Sequence, residues 1–275
     1  MTRDPGPWRP MLDKILFWRR KRIGVIELHG TIATRAGSLN AKGLGPLIER
    51  AFRTAGRSDG HVILDIDCPG GSPVQSDLIA ALIRRKAEKT GARVHAVVQD
   101  VGASGGYWIA CAADEIVANP MSVVGSIGVV GGGFGFTGVL ARTGIERRLY
   151  TAGRHKARLD PFSPERPEDV AFVRQLMQDL HERFKAWVRS RRGERLKGED
   201  ETVFDGSYFL GEKALALDLI DRFGDVDALV RELGGERAQP RVFRQRRSFL
   251  FRRLPRIAVD TVLDALEERA IRLRL

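Results

Sequence analysis

Cysteine is nearly missing from this chain: Cys68 and Cys111 are the only two among 275 residues. Two thiols exclude a disulfide framework, and neither lies in a C-x-x-C or Cys/His spacing that would hold zinc. A reducing compartment follows, with no metal or other cofactor called for. Histidine is sparse as well. His29, His61, His95, His155 and His181 are scattered, and none has an acid at a diagnostic spacing. No apolar run approaches the roughly 20 residues that cross a bilayer. A secretory leader is not expected either, because Arg19-Arg20-Lys21-Arg22 follows the short apolar stretch from Met11 to Trp18, whereas a leader puts its charge first.

Charge of one sign is missing from the body. The net charge is +11, yet residues 1–24 carry +5, residues 236–275 carry +6, and residues 25–235 sum to zero. A neutral body argues against nucleic acid as a partner and leaves the two ends free to rest on an anionic surface. Met11, Leu12, Ile15 and Trp18 fit one face of an interfacial helix. A disordered leader fits the same residues.

Three segments emerge: a basic, apolar tail over 1–22, a body over 23–235, and a basic extension over 236–275, in which Ile257 to Leu275 has the spacing of an amphipathic helix. Within the body the pattern predicts strands over 23–28, 61–67, 93–98, 115–118 and 145–150. It predicts helices over 46–54, with Pro46 in the first turn, and over 74–89, from the Ser104 region to about Ala113, over 139–143 and over 168–191. Residues 152–167 read as a proline-rich loop, and 204–233 as a short helical hairpin. Strands alternating with helices imply crossover connections and an α/β body.

Two strand ends carry chemistry. At Asp67-Cys68-Pro69-Gly70-Gly71-Ser72 a strand stops, two glycines follow and a helix begins, which leaves backbone N–H groups unpaired and approachable. Such a turn can be an oxyanion hole, an anion site or simply a tight turn. It lacks the spacing of a P-loop. At Gly102-Ala103-Ser104-Gly105-Gly106-Tyr107 a second strand gives way to a helix through small residues. Ser104 is there either an N-cap or a nucleophile presented at an elbow. The elbow of α/β-hydrolases would need a late histidine, and none follows His181. A serine nucleophile needs a base, and Lys156 stands in the loop Thr151-Ala152-Gly153-Arg154-His155-Lys156-Ala157.

The succession Pro69-Gly70-Gly71, then Ala103-Ser104-Gly105-Gly106-Tyr107, then Gly125-Ser126-Ile127-Gly128-Val129, then the Gly-x-x-Lys loop ending at Lys156 resembles the signal peptide peptidase A family of serine peptidases. The likeness runs from about Ile23 to Leu233 and is most specific from Ala103 to Asp114. It implies a crotonase/ClpP-like fold of stacked ββα units, closed here by the helical hairpin. It implies Ser104 as nucleophile, Lys156 as general base, and the N–H groups of Gly71 and Gly105 as oxyanion donors. Ser126 is placed to orient the lysine. It further implies a homo-oligomeric ring in which lysine and serine come from different subunits, and apolar peptides, such as cleaved signal peptides, as substrates. Three departures stand out. Cys68 replaces the usual serine before Pro-Gly-Gly, Asp218 replaces a usual glycine, and the membrane-spanning helix of many members is missing. The basic ends would then make the chain a peripheral protein on the cytoplasmic face of a membrane. Two other readings use the same residues: an acyl-CoA enzyme of the crotonase fold, and a catalytically silent scaffold.

Overall fold

A computed structural model of the protein describes residues 23–56, 60–236 and 238–245. The helices expected in the 1–22 tail and from Ile257 to Leu275 lie outside the described residues. The chain divides into two compact units, one formed by residues 23–127 with 187–245 and one by residues 128–186.

The first unit holds one sheet. β1 (Gly24–His29), β2 (His61–Cys68) and β3 (Arg93–Ala103) are its parallel centre. Their β-branched runs are buried on both faces, as parallel sheets require. β3 is longer than its apolar run predicts, because it serves two neighbours. Its first half pairs with β4 (Glu115–Ala118) and its last three residues with β5 (Val123–Gly125). β6 (Tyr208–Leu210) closes one edge antiparallel to β5, β7 (Arg222–Phe223) extends β4, and β8 (Arg241–Phe243) lies beside β1. The sheet therefore reaches past residue 235 into the basic extension.

Helices cover both faces. α1 (Ala41–Ala55) begins five residues before its expected start because the Asn40 side chain accepts from the Gly43 N–H, an N-cap that outweighs Pro46 in the helix interior. α2 (Pro73–Thr90) opens with proline at its first position, is capped by Ser72, and stops at Gly91 in the left-handed region. Leu44, Ile48 and Phe52 of α1 and Ile79 and Ile83 of α2 are fully buried. On the opposite face Leu229 and Val230 of α8 (Val226–Gly234) complete a core with Ile23, Val25, Ile63, Val97 and Val117. Between these helices the chain forms α3 (Gly105–Ala110), α4 (Thr137–Thr143), α5 (Pro167–Arg192), α6 (Asp200–Val203) and α7 (Gly211–Ala216).

Two expectations are corrected. The C-terminal helical hairpin is not present: β6 and β7 interrupt residues 204–233, leaving short helices between sheet strands. Strands of two and three residues carry no periodicity, so only their pairing with β4 and β5 reveals them. Residues 145–150, expected as a strand, are irregular and exposed in the second unit. No strand is described in that unit to pair with them, and a strand alone is not stable. The glycine replaced by Asp218 is explained by its backbone, which sits at φ +55°. Aspartate tolerates that region better than most residues, and its carboxylate pairs with Lys197 at 2.7 Å. Among the described residues no helix is long and apolar enough to cross a membrane.

Candidate active site

Because β2 and β3 are parallel neighbours, their carboxyl ends finish side by side, the usual position of sites on such sheets. After β2, Gly70 and Gly71 take φ +109° and +137°, values that favour glycine. Ile32 holds this turn by donating its N–H to the Gly70 carbonyl and accepting from the Ser72 N–H, both at 2.8 Å. In such a parallel bridge the middle residue's own N–H points away from the partner, so the Gly71 N–H is left directed outward. A Cβ on Gly71 would lie 2.1 Å from the Ile32 carbonyl oxygen. A Cβ on Gly70 would lie 2.8 Å from both the Gly105 nitrogen and the Ser104 Cβ. The two strand ends are therefore in direct contact, and only glycine permits the approach.

Ser104 sits at φ +50°, ψ −120°, and makes no capping hydrogen bond to α3. The capping alternative is thereby removed. Its N–H donates to the Gly125 carbonyl at 2.8 Å and its carbonyl accepts from the Trp108 N–H at 2.9 Å. The side chain is half-buried. Gly105 opens α3, so its N–H is one of the donors a helix start leaves without an internal partner. Ser126 follows Gly125 directly. It too has a positive φ, +53°, and its N–H donates to the Ser207 carbonyl at 2.7 Å. The backbone thus brings Ser104, Gly105, Gly71 and Ser126 to one end of the sheet. Lys156 belongs to the second unit, exposed in a turn after Gly153, with its N–H donating to the Gly153 carbonyl at 3.2 Å.

Two histidines have acid partners that the sequence spacing concealed. His29 Nε2 lies 3.2 Å from Asp65 Oδ2, which raises its pKa. His95 Nδ1 lies 2.7 Å from Glu115 Oε2, and its Nε2 is 3.0 Å from His61 Nδ1. Burial nonetheless holds His95 below its ordinary value. Ser104 stands nine positions beyond His95, about 30 Å along an extended strand, so His95 is not the base for that serine. Cys68, one residue from the glycine turn, is fully buried, and burial pushes its thiol up to about 12, far from a reactive thiolate. Among the described residues no group of three His, Cys, Asp or Glu side chains could hold a metal.

The model of peptidase family S49 matches residues 86–239, more than half of the chain. The chain belongs to peptidase family S49. The Synechocystis sp. protein that bears the name "Putative protease slr0021" is 30% identical to this S49 chain over 205 residues, which is 74% of this chain and 70% of its own length. A Brucella abortus chain named as the Na(+)/H(+) antiporter NhaA is 41% identical over 261 residues. That match covers 92% of the S49 chain but only 35% of the Brucella protein. The membrane-bound stomatin-specific protease 1510-N superposes with a TM-score of 0.50 and 15% identity, over 82% of this chain and 98% of that one. The S49 chain therefore shares its mixed α/β fold with that protease.

Proposed function

We propose that this S49 chain is a serine endopeptidase that hydrolyses apolar peptides with a Ser104–Lys156 dyad. The observation that carries the reading is the strained, uncapped Ser104, packed against the Gly70-Gly71 turn and followed by Gly105, whose N–H at the start of α3 has no partner within the helix. The scissile carbonyl oxygen rests on the Gly71 and Gly105 N–H groups. Neutral Lys156 takes the Ser104 proton as Oγ bonds to the carbonyl carbon. The tetrahedral adduct collapses, lysine returns the proton to the leaving amine, and water then hydrolyses the acyl-enzyme by the same route. Each oxyanion donor supplies about 3–4 kcal/mol. A lysine acts as base only when neutral, and burial favours the neutral form, so this reading has the Lys156 loop covered in the working protein. In the same reading Ser126 orients that lysine through a hydrogen bond.

The finer setting belongs to the same proposal. The fold is a superhelix of stacked ββα units, and the working form is a ring of copies in which Lys156 reaches a neighbour's Ser104. The ring is supported by the second unit, whose Val130, Ile145 and Tyr150 are exposed by 61–90% in a single chain. The membrane surface is favoured by the basic, apolar ends and by the likeness to part of a chain named as an antiporter. An acyl-CoA enzyme would use the glycine donors but has no need of a strained serine.

The test is labelling of the assembled protein with a fluorophosphonate or β-lactone probe. Wild type takes up the probe, Ser104→Ala does not, and Lys156→Ala reacts far more slowly. A wild-type protein that stays unlabelled when assembled ends the peptidase reading and leaves the acyl-CoA enzyme and the silent scaffold.

A further inference from the structure

The most specific stretch of the sequence runs from Ala103 to Asp114, yet the chemistry above uses only Ser104 and Gly105 of it. Its remaining residues converge on one feature. α3 has six residues, too short to be stable alone, and its last carbonyls have no partners within the helix. The Tyr107, Ile109 and Ala110 carbonyls accept from the N–H groups of Cys111, Ala112 and Ala113 in the turn that follows, and side chains from two other helices hold the Trp108 carbonyl and the carbonyls of that turn. Trp187 Nε1 donates to the Trp108 carbonyl at 2.9 Å, and the two indoles stack with centroids 5.9 Å apart. Arg191 donates through Nε to the Cys111 carbonyl at 2.8 Å and through Nη2 to the Ala113 carbonyl at 3.1 Å. Arg84 of α2 donates to the Ala112 carbonyl at 3.3 Å. Asp114 sits among the guanidinium groups, 2.8 Å from Arg84 and 3.6 Å from Arg191, and its other oxygen accepts the Val94 N–H of β3 at 2.9 Å. The carbonyl end of α3 is thus fastened to α2, α5 and the start of β3.

The opposite end of α3 is Ser104, in a backbone conformation that persists only where its surroundings enforce it. A short helix free at its carbonyl end would fray and let that serine relax. We propose that Arg191, assisted by Trp187 and Arg84, is a positioning residue for Ser104: it clamps the carbonyl end of α3 and through that helix holds the serine in its attacking conformation. This rests on the reading of Ser104 as nucleophile.

The test compares full-length wild type, Arg191→Ala, Trp187→Phe and Arg222→Ala. The last removes an ion pair with Glu115 at the amino end of β4 and serves as a control for general destabilisation. Two quantities are read: the limiting rate and half-saturation of fluorophosphonate labelling, and hydrogen–deuterium exchange of the peptide spanning 104–110. Arg191→Ala should lower the limiting rate about 10- to 100-fold with half-saturation unchanged, as a small misplacement of a reacting group does, and should speed exchange in 104–110. Trp187→Phe keeps an aromatic ring and removes the donor. It should act in the same direction by about 3- to 10-fold, and it carries the test if Arg191→Ala does not fold. Arg222→Ala should change neither. An unchanged limiting rate in both clamp variants overturns the inference, whether or not exchange rises. A slower rate without faster exchange overturns the route through α3, and an equal loss in Arg222→Ala overturns its specificity. A wild-type chain that takes no probe overturns the nucleophile reading and this inference with it, and is recognised because wild type itself fails.

Discussion

Ser104 is held at φ +50°, ψ −120°, a backbone state that costs a non-glycine residue about 1–3 kcal/mol. The Gly125 carbonyl bonded to its N–H and the glycines packed against it offset that cost. Glycine at this position would remove the strain, at the smaller expense of about 0.4–1 kcal/mol of unfolded-chain entropy. Ser104→Gly should therefore be more stable than Ser104→Ala by about 1 kcal/mol in urea denaturation, while both are dead to the serine probe. An alanine variant that proved the more stable of the two would mean that no strain is stored there. Asp218, with a similar φ, shows the opposite economy: its carboxylate finds Lys197 and its carbonyl accepts from the buried Arg192, so the turn is paid for locally.

At the scale of elements, β3 joins two kinds of chemistry, with the serine at its carboxyl end and a histidine–carboxylate chain at its start. His95 lies between Glu115 and His61, and Arg222 holds the far side of Glu115 at 2.7 Å. Burial keeps the folded-state pKa of His95 below the ordinary 6.5. As pH falls through about 6.5 the unfolded chain gains a proton that folded His95 refuses, so stability falls with pH until the lower folded value is reached. Between about pH 7 and 5.5 the urea midpoint of wild type should drop more steeply than that of His95→Gln. Parallel slopes would remove His95 from the account. His29, whose pKa is raised, works in the opposite sense but is common to both proteins and cancels in the comparison.

The same elements show what could be read in the sequence. The strands β1 to β4 and the helices α2 and α5 were legible because their apolar residues recur over enough positions to declare a period. The start of α1 was set by a cap at Asn40 that lies ahead of the apolar pattern, and β5 to β8 exist only through their partners. At the site, Gly70, Gly71, Ser104 and Gly105 were legible from their letters, since glycine pairs at strand ends leave few conformations. The clamp was not: Arg191 lies on a long charged helix and its carbonyl partners are 78 and 80 residues away. Nothing local separates it from the solvated arginines beside it.

At the scale of the whole molecule, the two halves of the proposed dyad fall in different compact units. If Lys156 serves a neighbouring copy, two inactive variants repair each other. Ser104→Ala retains Lys156, and Lys156→Ala retains Ser104. Co-assembling them should restore probe labelling on the Lys156→Ala subunits alone, well above the level of either protein by itself, as read by mass difference. Labelling that stays at the Lys156→Ala level would place the lysine on the same chain as its serine.

The burial of Cys68 and Cys111 has a practical side. Both thiols are held near 12 by the surrounding core, so alkylating reagents find no native target in the folded chain. A cysteine introduced by Lys156→Cys would be the only reactive thiol, and aminoethylation would turn it into a lysine analogue with one methylene replaced by sulfur and a slightly weaker amine. The native chain is in this sense already prepared for atom-by-atom replacement of its proposed base, with no cysteine to remove first.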